Sequence, residues 1–145
     1  MDDINRQILG HLLRDGRATF HTIGTAVGLS APAVKRRVDQ MRSRGEISGF
    51  TAIVDPAALG WTTEAYVEVY YRGNVSPDQL KRGLEDIPQV VGAWTVSGDA
   101  DALVHVMARD MRDVEATVER VRENPRVDRT RSVIVMSRLF ERPRG

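Results

Sequence analysis

The residues best suited to do chemistry are the cations Lys35, Arg36, Arg37 and Arg42, crowded into the short run from Ala31 to Arg44. If that run is helical, Val34, Val38 and Met41 fall at i, i+4 and i+7 and form one buried stripe, with the four cations on the opposite face. A helix anchored by an apolar stripe and basic on its outer side fits the major groove of duplex DNA, where arginine meets guanine edges and phosphates. Lys35 and Arg36, near the start of the helix, are the candidates for base or phosphate contact, and Ser30 and Ala31 lie closest to the groove. Arg37 either joins them or braces the domain.

A second group is Gly98-Asp99-Ala100-Asp101. One reading is a tight hairpin that uses glycine and aspartate for positive φ and local hydrogen bonds. The other is a ligand site, in which Asp101 or Asp99 holds an ammonium while the Gly98 amide and the Thr130 and Ser132 hydroxyls receive a carboxylate. An α-amino acid is a zwitterion and needs both kinds of partner close together. His11, His21 and His105 are scattered without metal-ligand spacing, and Trp61 and Trp94 read as packing groups. There is no glycine-rich phosphate loop, nucleophile elbow or catalytic triad.

These groups need elements to hold them. A first helix capped near Asp3 carries Ile4, Ile8, Leu12 and Leu13 on one face and stops at Asp15-Gly16. A second starts at Thr19, buries Ile23, Ala26 and Val27, and ends at Gly28. Ser30 caps the third, and Gly45 closes it. This spacing predicts a helix-turn-helix unit over residues 1–46.

Ile47 to Val54 reads as a strand, and Asp55-Pro56 with Leu59-Gly60 as a hinge, so that residues 47–62 connect two domains. From there the period changes to two, with Ala65, Val67 and Val69 inward. Ser76-Pro77-Asp78-Gln79 is a capping box opening a helix with Leu80, Leu84 and Ile87 inward, ended by Pro88. Val90 to Ser97 and Ala102 to Ala108 form a hairpin. Asp110 caps a helix with Val114, Val118 and Val121 inward, ended at Asn124-Pro125, and Thr130 to Phe140 is the last strand. Residues 63–145 therefore follow the order strand, helix, strand, strand, helix, strand, a ferredoxin-like α+β arrangement. One sheet face takes the helices. The other, carrying Tyr66 and Tyr70 or His105 and Met107 according to register, is poorly covered in a monomer, and association through it is the natural remedy.

Composition agrees. The net charge of +1 hides an asymmetry: up to Phe50 eight cations face five acids, net +3, and beyond it thirteen face fifteen, net −2. The basic excess lies where contact with phosphates requires it. The absence of cysteine excludes disulfides, thiolate metal sites and cysteine nucleophiles. The acidic start Met1-Asp2-Asp3 is unlike a secretory signal, and no run approaches the roughly 20 apolar residues of a membrane span, so the cytoplasm is the expected location.

Taken together, Val27-Gly28-Leu29-Ser30, Val34 through Arg37-Val38, Gly45-Glu46-Ile47-Ser48-Gly49-Phe50, Asp55-Pro56 through Leu59-Gly60, and Ser97-Gly98-Asp99-Ala100-Asp101 resemble the Lrp/AsnC family, the feast/famine regulators of bacteria and archaea. The resemblance spans nearly the whole chain. It implies a winged-type helix-turn-helix joined by a strand to a ligand-responsive ferredoxin-like domain. It also implies dimers formed through the sheet, assembly to octamers, and an amino acid or related metabolite bound between dimers at the 98–101 loop and the last strand. The chain departs from the family pattern at Asn5, usually aspartate; Gly24, usually alanine; Asp39, commonly basic; and Glu46, usually small and apolar. Gly24 is expected to cost about 0.5 to 1 kcal/mol relative to alanine. Asp39 is expected to weaken backbone contact or alter site preference.

The resulting expectation is a transcriptional regulator without catalytic residues, metal or cofactor. Its homodimer would present two recognition helices to half-sites spaced by about one turn of duplex or a multiple. Two other readings start from the same residues. A tetrapyrrole (sirohaem-type) decarboxylase on this scaffold would need histidines lining a large cavity, for which His105 alone stands. A non-specific architectural DNA-binding protein would show no preference between operator and random duplex.

Overall fold

The computed structural model describes residues 1–141. In the first of two compact units, Met1–Ile53, three helices form: α1 (Asp3–Arg14), α2 (Phe20–Val27) and α3 (Ala31–Ser43). Each starts on a side-chain oxygen that takes up a free backbone N–H, from Asp2, Thr19 and Ser30 respectively, so the first cap lies one residue before the expected Asp3. Gly28, at φ 72°, turns the chain out of α2. Gly45, at φ 74°, does the same after α3, and Gly45 and Glu46 N–H donate back to Arg42 and Met41 carbonyls at 3.0 and 2.9 Å.

Ile8, Ile23, Val34, Val38 and Met41 form the core of this unit. Two expected core residues lie outside it. Leu13 is exposed, because a position nine residues after Ile4 lies half a turn round the helix, and the buried line runs through Asn5, Ile8 and Leu12 instead. Ala26 also faces solvent. The expected strand from Ile47 to Val54 is absent: among the described residues no strand pairs with it, and Phe50, Ile53 and Val54 are exposed. Alternating β-branched residues favour extended backbone, but a ladder needs a second strand to take up the N–H and C=O groups.

The second unit, Val54–Leu139, opens with a 3₁₀ turn (Pro56–Leu59) capped by Asp55 and ended by Gly60 at φ 79°. Then follow β1 (Thr63–Tyr71), α4 (Pro77–Leu84), β2 (Val90–Thr95), β3 (Ala102–Ala108), α5 (Met111–Arg122) and β4 (Val127–Ile134). The strands pair antiparallel in the order β2-β3-β1-β4, the ferredoxin-like topology. The Ser76 capping box is present in full. Helix α4 ends at Leu84, ahead of the expected stop at Pro88; Ile87, the residue that proline keeps from helical backbone, reaches the core through a turn in which its N–H donates to the Leu84 carbonyl at 3.1 Å. Strand β4 runs earlier than the expected Thr130 to Phe140. Its ladder begins at Tyr71↔Val127 and ends at Ala65↔Ile134, two residues short of the Thr63 end of β1.

Ala65, Val67 and Val69 from β1, Val104 and Val106 from β3, and the apolar sides of α4 and α5 make one core. Among the described residues, no helix packs on the opposite sheet face. Register pairs Tyr66 with His105 and Glu64 with Met107, so the two alternative sets of face residues occupy one face together.

Candidate nucleic-acid interface and effector loop

The apolar stripe of α3 places its other residues. Val34 and Met41 are fully buried and Val38 nearly so. At about 100° per residue, Pro32, Arg36, Asp39 and Ser43 point most directly away from that stripe, flanked by Lys35 and Gln40. These six residues line one shallow groove along the outer side of the helix. Arg36 is exposed, with no ion-pair partner among the described residues. Lys35 is exposed as well, but its Nζ lies 2.7 Å from Asp39 Oδ2. Ser30 spends its hydroxyl on the Ala33 N–H at 3.4 Å, and Ala31 begins the helix beside it.

Arg37 sits differently. It borders the buried stripe, and its Nη1 donates to Asp2 Oδ2 at 2.6 Å and to Asn5 Oδ1 at 2.9 Å. Asp2 Oδ1 meanwhile accepts the Asn5 N–H at 2.7 Å and starts α1. The Asn5 N–H and the Arg37 guanidinium together hold the Asp2 carboxyl below its usual range. Arg37 therefore ties α3 to the N-terminus of α1, away from the outer face where spacing alone had put it. Asn5 itself is uncharged, and Asp2 supplies the negative charge against Arg37.

In the second unit, Gly98 adopts φ 116° and the 98–101 loop closes β2 onto β3. Asp101 folds onto the end of β1: its N–H donates to the Val69 carbonyl at 3.0 Å, and its Oδ2 accepts the Tyr71 N–H at 2.8 Å. Asp99 is exposed. Thr130 pairs with Val69 and Ser132 with Val67, so both hydroxyl residues project to the helix-covered side of β4. Thr130 Oγ1 accepts Arg122 Nε at 3.0 Å. The loop and Thr130 thus reach the same end of the sheet on strands separated by β1, roughly 10 Å across two strand spacings. Within one chain their polar atoms serve different partners.

Sequence reasoning missed a polar cluster on the open sheet face. Glu64 Oε1 lies 2.6 Å from His105 Nε2, its Oε2 accepts Arg138 Nη2 at 2.9 Å, and Tyr66 stacks on the His105 ring at 4.6 Å between centroids. Burial raises the Glu64 pKa, and its hydrogen bonds with Arg138 and His105 lower it; the hydrogen bonds prevail, leaving it below the usual carboxylate range. Arg129 lies 3.9 Å over the Tyr70 ring, and Arg131 pairs with Glu68. A second unforeseen residue is Asp113, which accepts from Arg109 N–H and Nε and from Gln89 Nε2. Among the described residues, no group of three or more His, Cys, Asp or Glu is placed to hold a metal. No described helix is long and apolar enough to cross a membrane.

Residues 1–42 match a sequence model for the AsnC-type helix-turn-helix domain, and residues 64–145 match one for the Lrp/AsnC ligand binding domain. The chain is 51% identical to the HTH-type transcriptional regulator Rv2324 of Mycobacterium tuberculosis, over 98% of this chain and 96% of that protein. It is 34% identical to the HTH-type transcriptional regulator LrpA of the same organism, over 97% and 93% of the two chains. Among solved structures it is similar to the feast or famine regulatory protein of M. tuberculosis complexed with L-methionine. The TM-score is 0.91 at 33% identity, covering 99% of this chain and 97% of that one.

Proposed function

Because the chain belongs to the Lrp/AsnC family of transcriptional regulators, with a DNA-binding helix-turn-helix domain and a ligand-binding domain, we propose that it reads operator DNA with the outer side of α3. It is a regulator and not an enzyme, as its named relatives are. The observation that carries the proposal is the orientation of α3. Its apolar side is sunk in the first unit's core, and Arg36, which has no ion-pair partner among the described residues, stands at the centre of its exposed side. Lys35 and Arg36 contact bases or phosphates, with Ser30 and Ala31 against the backbone at the helix start. Arg37 acts as a positioning residue.

The ligand-binding domain takes an amino acid or related metabolite. A relative at 33% identity holds L-methionine, which makes methionine the first ligand to test. Gly98, Asp99 and Asp101 from one dimer and Thr130 and Ser132 from a neighbouring one supply the polar partners. Such a split site agrees with their engagement to different groups within one chain. The open sheet face pairs two chains, dimers assemble to octamers, and the protein works in the cytoplasm. Residues 1–46 form the DNA-binding domain, 47–62 the connector and 63–145 the sensing domain.

One footprinting series tests both halves. Wild type should protect a paired half-site, Arg36→Ala should weaken that protection by about 1 to 3 kcal/mol, and added L-methionine or another amino acid should change occupancy or pattern. Unchanged affinity in Arg36→Ala removes that residue from the interface. A footprint indifferent to every amino acid rejects the sensing site.

A further inference from the structure

Asp39 is an anomaly on a surface meant for DNA: a carboxylate close to the centre of the outward side of α3, between Arg36 and Ser43. Facing phosphates alone it would be repelled. In the major groove, however, cytosine presents the N4 amino donor beside the O6 and N7 acceptors of its paired guanine. Lys35 and Asp39 offer the complementary pattern. Their side chains meet at 2.7 Å, both remain at least half exposed, and only Oδ2 of Asp39 is engaged by Lys35. An ammonium with donors to spare and a carboxylate with a free oxygen are thereby held side by side, one helical turn apart along the backbone.

We infer that Lys35 and Asp39 act as one unit that reads a single G·C pair in each half-site, Lys35 donating to guanine and Asp39 accepting from the cytosine amino group. This rests on the proposal that α3 is the DNA-reading helix, and it adds which base pair is selected. The carboxylate supplies the discrimination. Thymine O4 of an A·T pair or a reversed guanine turns acceptor lone pairs toward it, so these pairs are rejected by repulsion; a T·A pair keeps an amino donor for Asp39 but sets adenine N7 beside the carboxylate and gives Lys35 a methyl group in place of guanine N7. The ion pair also cancels the charge of Lys35, so this unit adds little to non-specific attraction, which is left to Arg36 and Arg42.

The test is selection from a randomised duplex pool by the full-length wild type and by Asp39→Asn, an exposed substitution that keeps shape and removes charge. The wild type should enrich a motif with an invariant G·C pair in each half-site. Asp39→Asn should lose preference at that pair alone, by about fivefold or more per half-site, while other positions keep theirs. An identical motif from both proteins, a uniform gain in affinity for all duplexes, or a wild-type motif lacking such a pair each overturns the inference. A wild type that enriches no motif instead rejects the reading of α3 itself, and the inference falls with it.

Discussion

At the scale of single residues, close approach decides what propensity leaves open. Gly24 lies inside α2, where helix propensity alone makes alanine better by about 0.5 to 1 kcal/mol. In the folded chain the Gly28-Leu29 turn curls back over it. The Leu29 N–H donates to the Gly24 carbonyl at 2.9 Å, and a Cβ at Gly24 would run into the Leu29 carbonyl oxygen, a backbone atom. Glycine is what lets the turn sit this close to α2 and brings Ser30 to the start of α3. Gly24→Ala should therefore destabilise the helix-turn-helix by about 1 to 3 kcal/mol instead of stabilising it, as a lowered thermal midpoint would show. A raised midpoint would mean that the turn relaxes freely.

At the scale of elements, the N-terminus of α5 depends on two carboxylates. Asp110 caps the helix by accepting the Asp113 N–H at 2.9 Å, and Asp113, which is 8% exposed, reaches back to Arg109 and across to Gln89. The Arg109 N–H is the main cause holding the Asp113 carboxyl below its usual range; burial works the other way and is overcome. A carboxyl whose pKa is lowered by folding stabilises the fold above its unfolded pKa, and that contribution disappears as pH falls through the lower, folded value. Asp113→Asn should cost about 1.5 to 3 kcal/mol at neutral pH, the range for hydrogen bonds to a charged group. The gap from wild type should close below the ordinary carboxylate range, as urea unfolding at stepped pH would show. A gap independent of pH would assign the loss to packing instead of charge.

At the scale of the whole molecule, the proposal that two chains pair through the open sheet face rests on the make-up of that face. The face combines exposed Val133 and Trp94 with side chains already satisfied among themselves, Glu64 with His105 and Arg138, and Arg131 with Glu68. Covering such a face removes apolar surface from water without stranding its charges. Val133→Glu, at a position pointing away from the chain's own core, should leave the fold intact by circular dichroism and shift the assembly toward monomer in sedimentation. It should also abolish paired half-site protection. A wild type that sediments as a monomer, or a variant that assembles unchanged, would remove this face from the interface.

Local pattern alone determined much of this protein. Spacing placed the core stripe of α3, turn chemistry placed the Gly28-Leu29-Ser30 junction, and alternation with capping signals gave the order of strands and helices in the second unit, with the bounds of β4 displaced. These were legible because helix period, caps and pleat are set by residues a few positions apart. What the tertiary structure decided involves distant partners. Asp2 and Arg37 meet across 35 positions, Asp101 and the Tyr71 N–H across 30, and Glu64 and His105 across 41. For the same reason Ile47 to Val54 stays outside any strand: its residues favour an extended backbone, but a ladder exists only where a second strand is present to accept and return its hydrogen bonds.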